Sequence, residues 1–486
     1  MASPRVSLAV DDVGLLASFA AIRAELHIPS TFDEATQNEA DVVARRGPAV
    51  PVTSTVHTVT DRREIPFVTI DPEGSRDLDQ AYAAQRTERG FRVWYAIADV
   101  AAFVAPDSAL DHTARDRGAT MFAPDERAPL HPLVINEGAA SLLPGVDRQA
   151  VLWTFDTDDH GTVLEARAER AMVQSRRQLS YPEAQGLIDG DTADESLALL
   201  ARIGPARIEL ERARGAVSLN IPSQNVVRAD GHYALEFEQS LPIEKWNAQI
   251  SLMTGMAAAQ IMIAAGIGLL RTMPAPRRAD IDKLRHSAAA LGIEWPIAMS
   301  YPDRIRTLDP NAPRAAAFMT HAARLLRGAG YLVFRGTPPP DHEHGAIAAP
   351  YAHATAPLRR TADRFVNEIV LSHCAGLAVP EWTLSTLDEL PRDMSRAQQR
   401  QHALDRAVFD LLEAITLEPS IGTTFEAGVT DVVDGVARVQ LCKAAVVADV
   451  PVVPTDRVQP GDTIRLRLIE ADPVHRSVRF ALAQAN

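Results

Sequence analysis

Hydrophobic and polar positions change their spacing several times along this chain. Between residues 12 and 45 apolar side chains recur every three to four positions in LLASFAAIRAEL and FDEATQNEADVVA, which predicts two short helices broken near Pro29. Ser30 or Thr31 can cap the second. From about Pro66 the period drops to two. FVTI, FRVWYAIADVAAFV and AVLWTFDTD are β-branched and aromatic runs bounded by turn residues, so residues 66–170 read as mainly strand. Helical periodicity returns from about 181 to 300. It includes an uncharged stretch from Trp246 to Leu270, long enough to cross a bilayer. Asn247, Gln249, Ser251, Thr254 and Gln260 interrupt that stretch and much of the rest is alanine, so a buried core helix is expected. Three prolines at 338–340 and the DHEHG after them mark a loop, and a helix is expected to start near Pro357 and run through RRTADRFVNEIVLSHC. Beyond about 422 period-two alternation with glycine and Asp-Pro turns gives some five strands, which suits a small OB-type barrel. The expected fold is α+β and multidomain: a small helical or winged-helix module over 1–60, a central domain over 61–418 and a β-barrel over 422–486. Three parts agree with 486 residues at roughly 150 per domain.

Composition narrows the function classes. The chain is 46% hydrophobic and 23% charged, ordinary values for a soluble globular protein. Its 63 acids against 49 bases give −14 at pH 7, which excludes a basic coat but leaves room for a local basic channel. Two cysteines, Cys374 and Cys442, support neither a disulfide scaffold nor a cysteine zinc site and fit a reducing cytoplasm. The only lysines are Lys245, Lys283 and Lys443, and none follows a glycine, so a phosphate loop for nucleoside triphosphates is excluded. The apolar run in MASPRVSLAVDD is too short for a signal peptide. A cytoplasmic protein with no membrane partner, acting as a monomer, is expected.

Two clusters carry candidate chemistry. In IDPEGSRDLDQA, residues 70–81, Asp77 and Asp79 face one side of an extended segment and Asp71 can fold back through Pro72 and Gly74. Three hard oxygen ligands suit magnesium, while the alternative is a polar turn with solvated acids. The second cluster is YAHATAPLRRTADRF, residues 351–365. A helix begun at Pro357 places Arg359, Arg360 and Arg364 in its first two turns, where guanidinium forks and the helix dipole favour phosphate. Tyr351 and His353 can stack on bases or bond to phosphate. The alternative is an ordinary surface with Arg–Asp pairs through Asp363. The DHEH at 341–344 lacks the second histidine of a zinc helix and reads as loop. RTMPAPRRADIDKLR at 271–285 nets +3 and is a second basic patch.

In this order, and followed by a β-barrel, these clusters resemble the ribonuclease II/R family of exoribonucleases over about residues 60–486. TIDPEGSRDLDQA is similar to the family's acidic signature, and AIADVAAFV follows it as the next strand. RGATMFAPDERAPLHPLVINEGAASLLPG and YAHATAPLRRTADRFVNEIV are similar to two further motifs. FEAGVTDVV through GDTIRLRLIEAD is similar to the C-terminal RNA-binding barrel named after ribosomal protein S-one. The resemblance implies a magnesium-dependent 3′-to-5′ exoribonuclease, with manganese as a substitute metal, that hydrolyses single-stranded RNA to 5′-nucleoside monophosphates. It implies that Asp71, Asp77 and Asp79 hold the metal, that Asp79 is the carboxylate tied most tightly to cleavage, and that Arg359 clamps the scissile phosphate. Phe122 falls where a tyrosine packs on the terminal nucleotide, and Asp405 falls near a glutamate that supports the site. Arg360 and, on the barrel, Arg465 and Arg467, which alternate along one strand, are expected as further RNA contacts. Three departures stand out. Gln80 replaces a fourth aspartate, keeping a metal oxygen but losing a charge; Ala275 stands where an aromatic wedges against the RNA; and about 60 residues precede the catalytic region, too few for a pair of cold-shock barrels. Gln80 also favours the alternative of an inactive RNA-binding protein that keeps the fold.

Overall fold

The computed structural model describes residues 6–7, 12–49, 54–217, 224–229, 232–237, 240–309, 313–442, 446–453 and 456–483. Most of the N-terminal run MASPRVSLAVDD and Lys443 lie outside these residues. The centre is a sheet that closes on itself. Phe67–Asp71, Gln80–Thr87, Gly90–Ala98, Asp147–Asp158 and Val163–Ser180 pair in turn. Val163–Ser180 then pairs parallel with Phe67–Asp71, and Thr60–Asp61 adds beside it. The period-two pattern explains why both faces are buried. Tyr82, Val93, Tyr95, Trp153 and Phe155 point to one core with the helices Glu195–Ala213, Pro242–Ala265 and Thr361–Cys374. Ala81, Ala83, Ala96, Ala98 and Leu152 point to the other, where their small size admits Val43 and Phe103. At roughly 1.5–3 kcal/mol per fully buried large side chain, these faces are a main source of stability.

The uncharged stretch is the core helix Pro242–Ala265. It is long and apolar enough to cross a membrane, but Ile250, Met253, Ala258, Ala259 and Met262 are buried against neighbouring helices of the same domain. It ends earlier than expected. Gly266 adopts a left-handed C-cap (φ 69), and Ile267–Thr272 leaves as a strand paired with Gly330–Arg335. Another correction is the hairpin Gln224–Ala229 with His232–Phe237, inside the region read as helical, to which Val6–Ser7 adds a third strand. The N-terminal segment otherwise consists of the helices Asp12–Glu25 and Glu34–Arg46, the second capped by Asp33 rather than Ser30 or Thr31. Leu15, Phe19 and Ile22 of the first pack on Leu404, Val408 and Leu411 of a 28-residue helix, Leu390–Leu417.

The C-terminal unit is a nearly closed five-strand barrel: Thr424–Val433, Val436–Leu441, Val447–Pro451, Thr463–Asp472 and Ser477–Leu482. Leu417 enters its core. Asp431 of the barrel meets His321 at 3.0 Å and also pairs with Arg324, and Arg476 reaches Glu25 of the first helix at 2.6 Å.

Candidate active site

The acidic loop is built on a strand end and a buried leucine. Asp71 closes the strand Phe67–Asp71, and Gln80 opens the next. Between them Leu78 is fully buried; its N–H donates to Ser141 Oγ (2.9 Å) and its carbonyl accepts from Leu142 (3.0 Å). Burying Leu78 leaves its neighbours Asp77 and Asp79 facing the other way, as their spacing predicts. Asp79 is only 1% exposed, and both its oxygens are held by a turn 280 residues away: Leu358 N–H donates to Oδ1 at 2.8 Å and Arg359 Nε to Oδ2 at 2.7 Å.

That turn corrects the helix boundary. Residues 357–360 form a turn and the helix begins at Thr361. Gly118 and Thr120 intervene: Thr120 N–H donates to the Arg359 carbonyl and Thr361 N–H to the Gly118 carbonyl. The three arginines therefore diverge. Arg359 alone reaches the acids. Arg360 is held by Asp363 through Nε (2.9 Å) and Nη2 (2.7 Å), the pairing that composition alone had offered as the alternative. Arg364 is buried on Asp111 at 2.6 Å, beneath the site.

Burial pushes the Asp71 carboxyl up to about 7, with repulsion from Asp79 adding to it, and pushes Asp79 up to about 6 against the pull of Arg359. Asp71 Oδ2 is buried without a hydrogen-bond partner. Asp77 pairs with Arg127, which also holds Glu137 at 2.9 Å. Gln80 is engaged at both ends of its amide: Nε2 donates to the Thr355 carbonyl (2.5 Å) and Oε1 accepts from Tyr95 (3.0 Å). Among the described residues no three acids or histidines already enclose one point, because Asp77 and Asp79 are turned onto arginines. The donor set nonetheless fits a hard divalent cation. It offers hard oxygens only, one of them an orphaned buried carboxylate oxygen, and two acids raised by burial.

Residues 59–375 match the RNB domain model, and residues 423–483 match the RNase II-type exonuclease C-terminal S1 domain. The chain belongs to the RNB family. Among its relatives, ribonuclease R of Vibrio parahaemolyticus is 25% identical over 446 residues, covering 83% of this chain and 51% of that protein. The exosome complex exonuclease RRP44 homolog A of Arabidopsis thaliana is 28% identical over 336 residues, covering 64% and 35%. The chain thus spans about half the length, or less, of these curated relatives. Its fold is similar to the apo form of Mycoplasma genitalium RNase R, with TM-score 0.84, 18% identity and coverage of 96% of this chain and 78% of that one. Yeast Ssd1, described as a pseudonuclease, also shares the fold: TM-score 0.68, 16% identity, 86% and 56% coverage.

Around the acids of this RNB domain, the other expected contacts fall into two groups. Phe122 is 43% exposed on a two-residue strand, Met121–Phe122, paired with Arg127–Ala128, so Arg127 links the Phe122 hairpin to Asp77. Arg465 and Arg467 stand exposed on one face of Thr463–Asp472. Arg476 and Arg479, in contrast, are spent on Glu25 and Glu470. Other expectations do not hold. Tyr351 is buried, and His353 is enclosed by Tyr331 (Oη to Nδ1 2.7 Å) and the edge of Tyr351. A Cβ on Gly255 would lie 2.2 Å from the Tyr351 ring, so the core helix packs directly against that ring. Asp405 contacts Gln401 (2.6 Å) rather than the acids. The 271–285 patch is divided: Arg271 lies over Tyr331, and Arg285 stacks on Trp295 and donates to four carbonyls, while Arg277, Arg278 and Lys283 stand exposed.

Sequence reasoning missed Arg127, Glu137 and Gln401. Arg127 and Glu137 lie within the stretch RGATMFAPDERAPLHPLVINEG, yet no local spacing marks them. It also missed Arg170, wholly buried with Asp99, Glu368 and Ser54.

Proposed function

We propose that this chain is a divalent-metal-dependent 3′-to-5′ exoribonuclease that hydrolyses single-stranded RNA to 5′-nucleoside monophosphates. The observation that carries this reading is the meeting of Asp71 and Asp79 with Arg359 in a buried site whose Asp71 Oδ2 lacks a partner. Asp71, Asp77 and Asp79 would hold magnesium, or manganese in its place. When bound, such an ion supplies charge stabilisation at the phosphoryl group and eases deprotonation of water. The chain's own residues do the rest. Leu358 N–H and Arg359 Nε fix the orientation of Asp79. The remaining donors of Arg359 are free to face equatorial phosphate oxygens, where charge develops during in-line displacement. Phe122 offers an aromatic face to the terminal base. The Mycoplasma relative has been seen in complex with ribose-methylated single-stranded RNA, which supports RNA as the polymer.

The test is incubation with 5′-labelled single-stranded RNA in magnesium or EDTA. Asp79→Asn should abolish hydrolysis and leave RNA binding nearly intact, and near-normal turnover by that variant would remove the metal assignment. A second reading is a non-catalytic RNA-binding protein, which Gln80 and the pseudonuclease relative favour. Absence of any magnesium-dependent product from the wild-type chain would establish it.

A further inference from the structure

Phe122 sits on a hairpin too small to hold itself. Its ladder is only two residue pairs, Met121 with Ala128 and Phe122 with Arg127. Short isolated ladders of this kind are marginal in water. The outer edge of Phe122 is completed by one side chain. Gln401, on the helix Leu390–Leu417, accepts from Phe122 N–H through Oε1 (2.9 Å) and donates from Nε2 to the Phe122 carbonyl (3.0 Å). A single amide therefore does for Phe122 what a neighbouring strand would do.

An amide in that position has two orientations, and only one pairs correctly with a backbone N–H and C=O. Asp405, one turn further along the helix, accepts the second Nε2 proton at 2.6 Å. A carboxylate accepts and does not donate, so it fixes the nitrogen on the carbonyl side. The far end of the hairpin is held independently, by Arg23 of the first helix on Asp125 (2.5 Å) and Glu126 (3.1 Å).

We infer that Gln401 is a positioning residue for the 3′-terminal nucleotide: oriented by Asp405, it holds the Phe122 backbone so that the exposed ring stands as a stacking platform. This rests on the proposed role of Phe122 in RNA binding. It gives Asp405 a task at second hand and makes Gln401 act through Phe122 alone.

The experiment uses the full chain carrying Asp79→Asn and a short RNA ending in 2-aminopurine, whose fluorescence is quenched by stacking. Gln401→Ala should reduce terminal quenching and weaken binding about five- to tenfold, part of what one stacked base contributes. Asp405→Asn should act in the same direction and less strongly. Neither change should cost anything further once Phe122→Ala is present. The salt dependence of long-RNA binding, set by phosphate contacts elsewhere, should not move, whereas general unfolding would lower it as well. Full additivity of Gln401→Ala with Phe122→Ala, or unchanged quenching in Gln401→Ala, would overturn the inference. No quenching in the parent chain would overturn the platform and the clamp together. Quenching that responds to Gln401 in a chain whose wild type yields no RNA product would keep the clamp and sink only the nuclease reading.

Discussion

Arg170→Met tests whether the active-site turn is anchored by a buried charge network. Arg170 is 0% exposed and uses every arm of its fork: Nε to Asp99 (2.9 Å), Nη2 to Glu368, and Nη1 to Ser54 Oγ (3.1 Å) and the Val56 carbonyl (2.7 Å). Gln149 completes Asp99 at 2.8 Å and Ser54 completes Glu368 at 3.0 Å. Methionine fills much of the volume but leaves two buried carboxylates with one hydrogen bond apiece. Breaking a buried pair in this way costs about 3–5 kcal/mol, mostly as uncompensated charge. In a domain of this size that lowers Tm by about 5 °C. Adding Glu368→Gln should return part of the penalty, because it removes one of the two uncompensated charges. Glu368 belongs to the helix Thr361–Cys374, which starts two residues after Arg359, so RNA hydrolysis should fall in step with stability. Urea unfolding of the single and double variants is the measurement. A loss under about 1 kcal/mol, or no recovery on adding Glu368→Gln, would refute the anchoring argument.

Three further outcomes are expected. Burial, with repulsion from Arg364, pushes His131 down to about 3, so its contribution is present above the ordinary value of 6.5 and is lost as pH falls toward 3. His131→Phe should flatten acid unfolding across that window by about 1.4 kcal/mol per pH unit, and an unchanged slope would exclude the histidine as its source. Gln80→Asp should destabilise the chain in EDTA by about 1–2 kcal/mol, since the Thr355 carbonyl loses its donor, and magnesium should recover more than it does in wild type. Equal stability in EDTA would mean that the Tyr95–Gln80–Thr355 bridge carries no weight. Replacing Arg465 and Arg467 with alanine should lower the salt slope of long-RNA binding by about 1.4, two phosphates' worth, and an unaltered slope would take that face out of the RNA path.

What the sequence made legible was local. The acids of 71–79 are readable because two residues flanking a buried one on an extended segment must share a side. The barrel is readable because alternation and turn residues lie within a few positions of each other. What it hid was distant in the chain. Arg127 and Asp77 are separated by 50 positions, Gln401 and Phe122 by 279, Arg170 and Glu368 by 198, and each pairing exists only once the topology is known. The helix boundary at 361 failed for a related reason: Pro357 favours a first helical turn, but the backbone of 359–361 is committed to Gly118 and Thr120. The strand after Gly266 was masked by the apolar run Ile267–Leu270, which continues the composition of the helix while abandoning its period.

Charge counting changes the meaning of Gln80. Elsewhere in the domain, Arg364 pairs with Asp111 and Arg360 with Asp363, while the buried Arg170 faces two acids, Asp99 and Glu368. At the site, Asp71, Asp77, Asp79 and Glu137 face Arg76, Arg127 and Arg359, four acids against three arginines, which leaves one formal negative charge. A divalent cation would more than meet that remainder. An aspartate at position 80 would leave two negative charges, which one divalent cation would balance. The neutral amide adds no charge and ties the strand Gln80–Thr87 to the Thr355 segment through a hydrogen bond that a carboxylate could not donate. Gln80 thus keeps the bridge to Thr355 and leaves one carboxylate charge out of the site. That is why its replacement is expected to trade stability without metal for a larger gain with it.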